Sequence, residues 1–362
     1  MIITRPIQVG LIGVGQIVER VHLPILNNLT DVTPAGIFDS NLERAVALAR
    51  QYNIPNVCDS LDELLRLELD AVLVACPNNL HASSTIAALE SGLHVLCEKP
   101  MATTLADAQA MLAAAKRTGQ TLMIAFTNRF RPESIALHKM IQDGQLGHIR
   151  TIRCGWLRQQ GVPGLGSWFT TRKQSGGGAF IDLGSHLIDL AVWYGGRPVV
   201  LDVQCLLDYT LPPKVQAGWY HPKGVTNYEC DVEIGASAYM ICEGPLDIFV
   251  EVNWACATSH DRTYMHITGT RGEARLETLF GLSPSGYRPT HPLYVWTEDQ
   301  TEPYHIQGTT DVLIPYKKQW EFFIEKLLNR DSLRDQLYDG LTTMEIINSL
   351  YTSAKVFRSQ DV

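Results

Sequence analysis

Over its first 126 residues the chain repeats one pattern: a short, nearly all-apolar run, then a stretch with helical spacing, then another apolar run. The runs cover residues 7–12, 35–38, 70–76, 93–97 and 121–126, each too short for a helix and fenced by turn residues such as Ser91-Gly92. Between them, residues 41–52, 60–67, about 81–91 and 103–118 place apolar side chains three and four apart, as Leu42, Ala45, Val46 and Ala49 do. Strands that are apolar on both faces lie inside a sheet, and strands that alternate with helices are joined by crossovers into parallel order. Open sheets of this kind bind ligands at the carboxyl ends of their strands. Four of those ends carry residues with chemistry: Gly13, Asp39, Pro77 and Lys99.

The first end reads Gly13-Val14-Gly15-Gln16-Ile17-Val18, a strand running through a tight turn into a helix. Glycines at 13 and 15 let the backbone turn sharply and approach a pyrophosphate, and the helix then points free N–H groups at that anion. Val18 stands where the third glycine of G-x-G-x-x-G normally permits close helix–strand packing, so the match is incomplete, and an ordinary strand-to-helix turn is the competing reading. Asp39 follows roughly 20 residues later, where a carboxylate accepts the ribose hydroxyls of a dinucleotide. It would repel a 2′-phosphate, and Ser40-Asn41 supplies no arginine against that repulsion, which favours NAD over NADP. Asp39 can equally cap the helix that begins near Asn41. Lys99, fixed between Glu98 and the strand-ending Pro100, reads either as a solvated charge or as an ammonium facing cofactor and substrate.

From residue 149 the period falls to two. Ile152, Cys154 and Trp156 alternate with polar or small neighbours, residues 230–240 behave likewise, and so do residues 246–254. Half-buried strands of this kind are expected to form a large open, mostly antiparallel sheet whose second face needs a cover, most simply another copy of the chain. A hairpin about Arg271-Gly272 adds to it, while residues 284–308 are turn-rich and carry no clear pattern. Two helical stripes close the chain, Trp320, Phe323, Ile324 and Leu327 on the first and residues 334–357 on the second. The domains expected are a Rossmann dinucleotide-binding domain over 1–127 and an α+β domain over 128–362, the last helix being free to pack back on the first domain.

The glycine-rich stretch 161–178 holds Trp168, Arg172 and Lys173, suited to stack on a sugar face and to bind a carboxylate or phosphate, or else to lie as a mobile surface loop. After it, Asp182, His186 and Asp189 fall on one helix face and Leu183, Leu187, Leu190, Ala191 and Tyr194 on another. A lone helix histidine is usually structural; one a turn from a carboxylate is a candidate base, because imidazole titrates near neutral pH.

The segments GLIGVGQIVERVHLP, ACPNNLH and LCEKPMATT, with the later D-x-x-x-H at Asp182 and His186, resemble the glucose–fructose oxidoreductase / inositol dehydrogenase / rhizopine catabolism (Gfo/Idh/MocA) family. The resemblance spans nearly the whole chain, and its specificity lies in these motifs. It implies that Cys76, Pro77, Asn78 and His81 line the cofactor beside Gly13, Val14, Gly15, Gln16, Ile17 and Asp39. It further implies that Glu98 and Lys99 sit beneath the nicotinamide with Lys99 reaching the substrate, and that Asn128 and Arg129 close the pocket, where an exposed linker is the alternative. The Lys99–Pro100 bond is expected to be cis, and the Asp182–His186 element to meet Lys99 across the domain interface.

The function expected is hydride transfer between NAD and a secondary alcohol of a sugar, polyol, inositol or sugar acid. His186 would take the hydroxyl proton, Asp182 would orient the ring, and Lys99 would donate to the same oxygen. Trp168, Arg172, Asp182, His186 and Lys99 are the substrate-binding candidates. Competing readings are a sugar–sugar oxidoreductase or redox-assisted glycosidase that keeps its NAD, a biliverdin-reductase-like activity, and a dinucleotide- or sugar-sensing regulator without turnover. A net charge of −8 argues against nucleic acid and anionic membrane, and no apolar run approaches the ~20 residues of a membrane helix. The start lacks a signal-peptide pattern, the eight cysteines form no C-x-x-C, and no metal-binding histidine spacing occurs. These features predict a cytoplasmic, metal-free protein, a homodimer or homotetramer through the open sheet.

Overall fold

A computed structural model describes residues 5–211, 229–256, 258–278, 292–299, 304–306, 311–329 and 334–357. Residues 1–4 of the start and most of the turn-rich stretch 284–308 lie outside the described residues. The chain divides into two compact units, Met1–Thr127 with Leu313–Met344, and Asn128–Val312 with Glu345–Val362.

The first unit holds a six-stranded parallel sheet in the order β3-β2-β1-β4-β5-β6. Its strands are β1 (Ile7–Ile12), β2 (Val32–Phe38), β3 (Asn56–Cys58), β4 (Ala71–Val74), β5 (His94–Cys97) and β6 (Leu122–Ile124). Helices α1 (Leu23–Leu26), α2 (Leu42–Tyr52), α3 (Leu61–Leu65), α4 (His81–Glu90) and α5 (Leu105–Thr118) provide the crossovers. Local chemistry sets their ends: Asn41, Ser60 and Thr104 each accept a backbone N–H at the start of a helix. Every residue of β4 is buried, as a strand covered on both faces requires. The edge strand β3 is too short to show a period and is absent from the sequence reading. Strand order reverses between β1 and β4, the switch point at which a doubly wound sheet opens a ligand crevice.

The second unit carries a nine-stranded sheet in the order β14-β13-β12-β11-β7-β10-β9-β8-β15. These are β7 (Ile149–Leu157), β8 (Val200–Asp208), β9 (Gly235–Cys242), β10 (Asp247–Asn253), β11 (Arg262–Gly269), β12 (Gly272–Glu277), β13 (Leu293–Thr297), β14 (Tyr304–Ile306) and β15 (Lys355–Phe357). The hairpin β11–β12 forms where the sequence placed it. Most pairs are antiparallel, but β10 pairs with β7 in parallel, as β15 does with β8. The sheet is thus mostly antiparallel, as expected; the β7–β10 pair departs from that because a period of two reports half-burial, not direction.

Helices α6 (Pro132–Gln142), α7 (Arg172–Ser175) and α8 (Ser185–Tyr194) belong to this unit. Leu187, Leu190 and Ala191 of α8 share a core with Cys154, Trp156, Val250, Val252 and Ile267 of the sheet. Leu201, Leu206, Tyr239, Ile241 and Val356 are exposed. Helix α9 (Ile314–Asn329) lies in the first unit, and α10 (Arg334–Ser353) passes from the first unit to the second. The stripe of Trp320, Phe323, Ile324 and Leu327 is buried.

Candidate functional site

In the first unit the β1–α1 turn is built around two glycines with different reasons to be there. Gly13 has φ +82°, and a Cβ on it would lie 2.6 Å from the Cys76 backbone, so only glycine lets the ends of β1 and β4 meet. Gly15 has no such neighbour: a Cβ there would meet nothing within 4 Å. The space in front of Gly15 is where a pyrophosphate would approach, so the turn fits a dinucleotide. Gln16 and Ile17 open the helix that follows, whose turn Val18–His22 is π-type. The Val14 N–H donates to Asp39 Oδ2 at 2.7 Å, while Asp39 Oδ1 accepts from the Asn41 N–H at 2.8 Å and from Arg44 Nη2 at 2.9 Å. The carboxylate therefore braces the helix start as well as the turn. Its arginine partner, Arg44, lies one helical turn beyond Ser40-Asn41.

At the ends of β4 and β5, Pro77 leads into the turn Asn78–Leu80, Asn78 is buried, and the ring of His81 is 1% exposed. His81 Nδ1 lies 2.8 Å from the Pro100 carbonyl and Nε2 lies 3.0 Å from the Cys76 carbonyl, so the imidazole ties the two strand ends together. Burial lowers the His81 pKa against the pull of both carbonyls and pushes the Cys76 thiol up to about 11. The Lys99–Pro100 peptide is cis, as the resemblance implied.

Glu98 is held from both sides. Its Oε1 lies 2.9 Å from His22 Nε2 and its Oε2 accepts the Lys99 N–H at 3.2 Å. His22 Nδ1 in turn accepts the Trp320 indole N–H at 2.9 Å, and neither ring is exposed. Burial pushes the Glu98 carboxyl up, but the His22 hydrogen bond and nearby positive charge outweigh it and hold the carboxyl below its ordinary range. His22 and Trp320 escaped the sequence reading. His22 sits in the quoted GLIGVGQIVERVHLP run among buried apolar neighbours, whereas Trp320, 298 residues away, left no local signal beyond its stripe.

In the second unit the glycine-rich lead-in is a close-packed joint. A Cβ on Gly178 would fall 1.9 Å from the Glu233 carbonyl, and Glu233 Oε1 accepts the N–H groups of Gly178 and Phe180 at 2.8 and 3.0 Å and the Tyr351 hydroxyl at 2.8 Å. Burial raises the Glu233 pKa. The turn that follows, Phe180–Gly184, is π-type and carries Asp182, whose Oδ2 accepts the Trp254 indole N–H at 2.9 Å. His186, in the first turn of α8, lies with its ring 5.8 Å from that of Trp156. The Arg158 guanidinium is 5.5 Å from the same indole and 8% exposed, and its Nε and Nη1 have no hydrogen-bond partner among the described residues. Burial lowers its pKa while Asp182 and Asp261 pull the other way. Arg158 was also missed, because it follows the alternating run rather than falling in it.

The remaining expected site residues have identifiable anchors. Asn128 is buried in the turn Thr127–Phe130. Arg129 forms a two-pronged pair with Asp189, Nε to Oδ2 at 2.7 Å and Nη2 to Oδ1 at 2.6 Å. Trp168 packs on Phe169 at 4.9 Å, and Phe169 on Trp254 at 5.9 Å. Arg172 donates its N–H to Asp231 and Nη1 to the Tyr209 hydroxyl, with its guanidinium over the Tyr351 ring; Lys173 is exposed. Among the described residues no cluster of His, Cys, Asp or Glu could hold a metal ion, and no helix is long and apolar enough to cross a membrane.

Fold and turn together define a dinucleotide-binding protein. Residues 7–126 match the model of an oxidoreductase family with an NAD-binding Rossmann fold, and residues 135–275 match the GFO/IDH/MocA C-terminal domain. A putative UDP-kanosamine synthase oxidoreductase subunit of Amycolatopsis mediterranei is 30% identical over 82% of this chain and 81% of its own length. The D-glucoside 3-dehydrogenase of Escherichia coli is 38% identical over 55% of this chain and 57% of its own. A levoglucosan dehydrogenase solved with NADH and levoglucosan superposes with a TM-score of 0.81 over 96% of this chain and 97% of its own, at 22% identity, a likeness of fold. The chain belongs to the Gfo/Idh/MocA family.

Proposed function

We propose that this chain is an NAD-dependent dehydrogenase of a secondary alcohol on a sugar, polyol, inositol or sugar acid. The observation that carries it is the end of β5, beside the switch point, where a buried carboxylate fixed from both oxygens precedes Lys99. Gly13, Val14, Gly15, Gln16 and Ile17 would hold the pyrophosphate and Asp39 the adenosine ribose. The preference for NAD rests on Asp39, whose carboxylate would repel a 2′-phosphate. Bound NAD supplies the two-electron acceptor. His186 takes the hydroxyl proton, Asp182 orients and supports the ring that receives it, and Lys99 donates to the same oxygen as negative charge develops there. Trp254 holds Asp182 for that task.

The likeness to a D-glucoside 3-dehydrogenase and to a putative UDP-kanosamine synthase oxidoreductase subunit supports the substrate class. Eight free cysteines support a reducing compartment, the cytoplasm. The exposed apolar side chains on β8, β9 and β15 support a homo-oligomer through the open sheet. Lys99→Ala and His186→Ala are each expected to lower turnover by ~10²- to 10⁴-fold while the cofactor still binds. Turnover unchanged in both variants, on substrates first found by thermal shift with NAD, NADP, sugars, inositols and sugar acids, sinks the proposal.

A further inference from the structure

The Trp320–His22–Glu98 chain contains only one consistent arrangement of hydrogens. An indole N–H donates and never accepts, so His22 Nδ1 must present its lone pair to Trp320. The ring then carries its hydrogen on Nε2 and donates it to Glu98 Oε1. Trp320 thereby occupies the position that a second ring proton would need. Glu98 receives a neutral donor in place of a cation, and its negative charge is not cancelled by the histidine. The Lys99 N–H, on the other oxygen, is a neutral donor as well.

We infer that Trp320 and His22 are positioning residues that keep the Glu98 carboxylate charged and aimed, and so set the relative affinity of the site for oxidised and reduced nicotinamide. The inference rests on the proposed reading that Glu98 lies beneath the nicotinamide ring. The oxidised ring is a cation and the reduced ring is neutral, so a fixed carboxylate beneath it favours the oxidised form. In a buried site of low dielectric such a charge acts strongly. An imidazolium in place of neutral His22 would offset it. The other titratable groups facing the cluster are Lys99 and His81, whose charges act on Glu98, and Tyr316, whose ring lies edge-on to His22 at 6.1 Å. Burial holds His81 below its ordinary value.

The test measures the dissociation constants of NAD⁺ and NADH, by calorimetry or fluorescence, from pH 5.5 to 8.5 in four forms: wild type, Trp320→Phe, His22→Gln and Glu98→Gln. In the wild type the ratio of the two constants should be flat with pH. His22→Gln, which can still accept from Trp320 and donate to Glu98 but cannot titrate, should also be flat and near the wild-type value. In Trp320→Phe the Nδ1 position is released, and the preference for NAD⁺ should fall about fivefold or more as pH drops, toward the value of Glu98→Gln. A flat ratio in a folded Trp320→Phe protein, or a sloping one in the wild type, overturns the inference and leaves the dehydrogenase reading intact. Failure of every form to bind either cofactor overturns that reading and the inference with it. Nitrogen-15 spectra of the wild-type histidines supply a check independent of the variants. An unprotonated Nδ1 on His22 throughout this pH range is expected, and a protonated one overturns the inference.

Discussion

The two units solve one local problem with the same parts and reach different ends. Each has a site helix with a π-type turn, Val18–His22 in the first and Phe180–Gly184 in the second. Each aims the N–H of a sequence-distant tryptophan at an acceptor on that turn, Trp320 at His22 and Trp254 at Asp182, both at 2.9 Å. In the first unit the chain continues to Glu98, and both carboxylate oxygens are engaged. In the second, Arg158, within the electrostatic reach of Asp182, leaves Nε and Nη1 without partners among the described residues. A connected polar network is rigid and costly to disturb, whereas a buried group left open is destabilising until something binds it.

If the contrast is sound, breaking the second cluster should damage chemistry and breaking the first should change cofactor preference. Asp182→Ala should give the largest effect, about 10²-fold or more off kcat, with Trp254→Phe following in the same direction by about tenfold. Both should leave the NAD⁺/NADH affinity ratio unchanged; a shift in that ratio equal to the one in Trp320→Phe would erase the distinction. The next effect concerns stability. Arg158→Met removes two unsatisfied donors but also the cation that faces Asp182 and Asp261, so it should leave stability unchanged or lower it by about 1–3 kcal/mol at most. A loss of more than that, measured by denaturant titration, would mean that Arg158 is structurally satisfied. The smallest effect sharpens the comparison at the edge of the second cluster. His138 stacks on Trp193 at 3.7 Å, and burial, with Arg129 and Arg197 nearby, lowers its pKa to about 4. Between pH 6.5 and 4 the unfolded chain binds a proton that the folded chain refuses, so stability falls as pH drops through that window. His138→Phe keeps the stack and should flatten that slope, read by melting curves at several pH values.

The sequence made legible whatever local chemistry repeats or punctuates. Apolar runs gave the parallel sheet, Gly13 and Asp39 gave the crevice end, and Glu98-Lys99-Pro100 gave the β5 terminus. Strand direction was hidden, as β7 and β10 show, because alternation encodes which face is wet and nothing about polarity. Partners across long separations were hidden too. Nothing near His22 announces Trp320, and nothing near Asp182 announces Trp254 or Glu233. Arg44 lay only a helical turn beyond the point where a cation was sought, yet its pairing with Asp39 depends on how the helix starts.

The stretch Leu313–Met344 belongs to the unit that begins the chain. It brings Trp320 to His22, Gln319 to the Thr127 hydroxyl at 2.8 Å, and Gly340 so close to Ile124 and Met101 that a larger residue would collide with them. During synthesis, domains generally assemble from the amino end as they emerge from the ribosome. This one cannot do so fully. Its earliest strands keep the His22 face uncovered until the helix that carries Trp320 has been made.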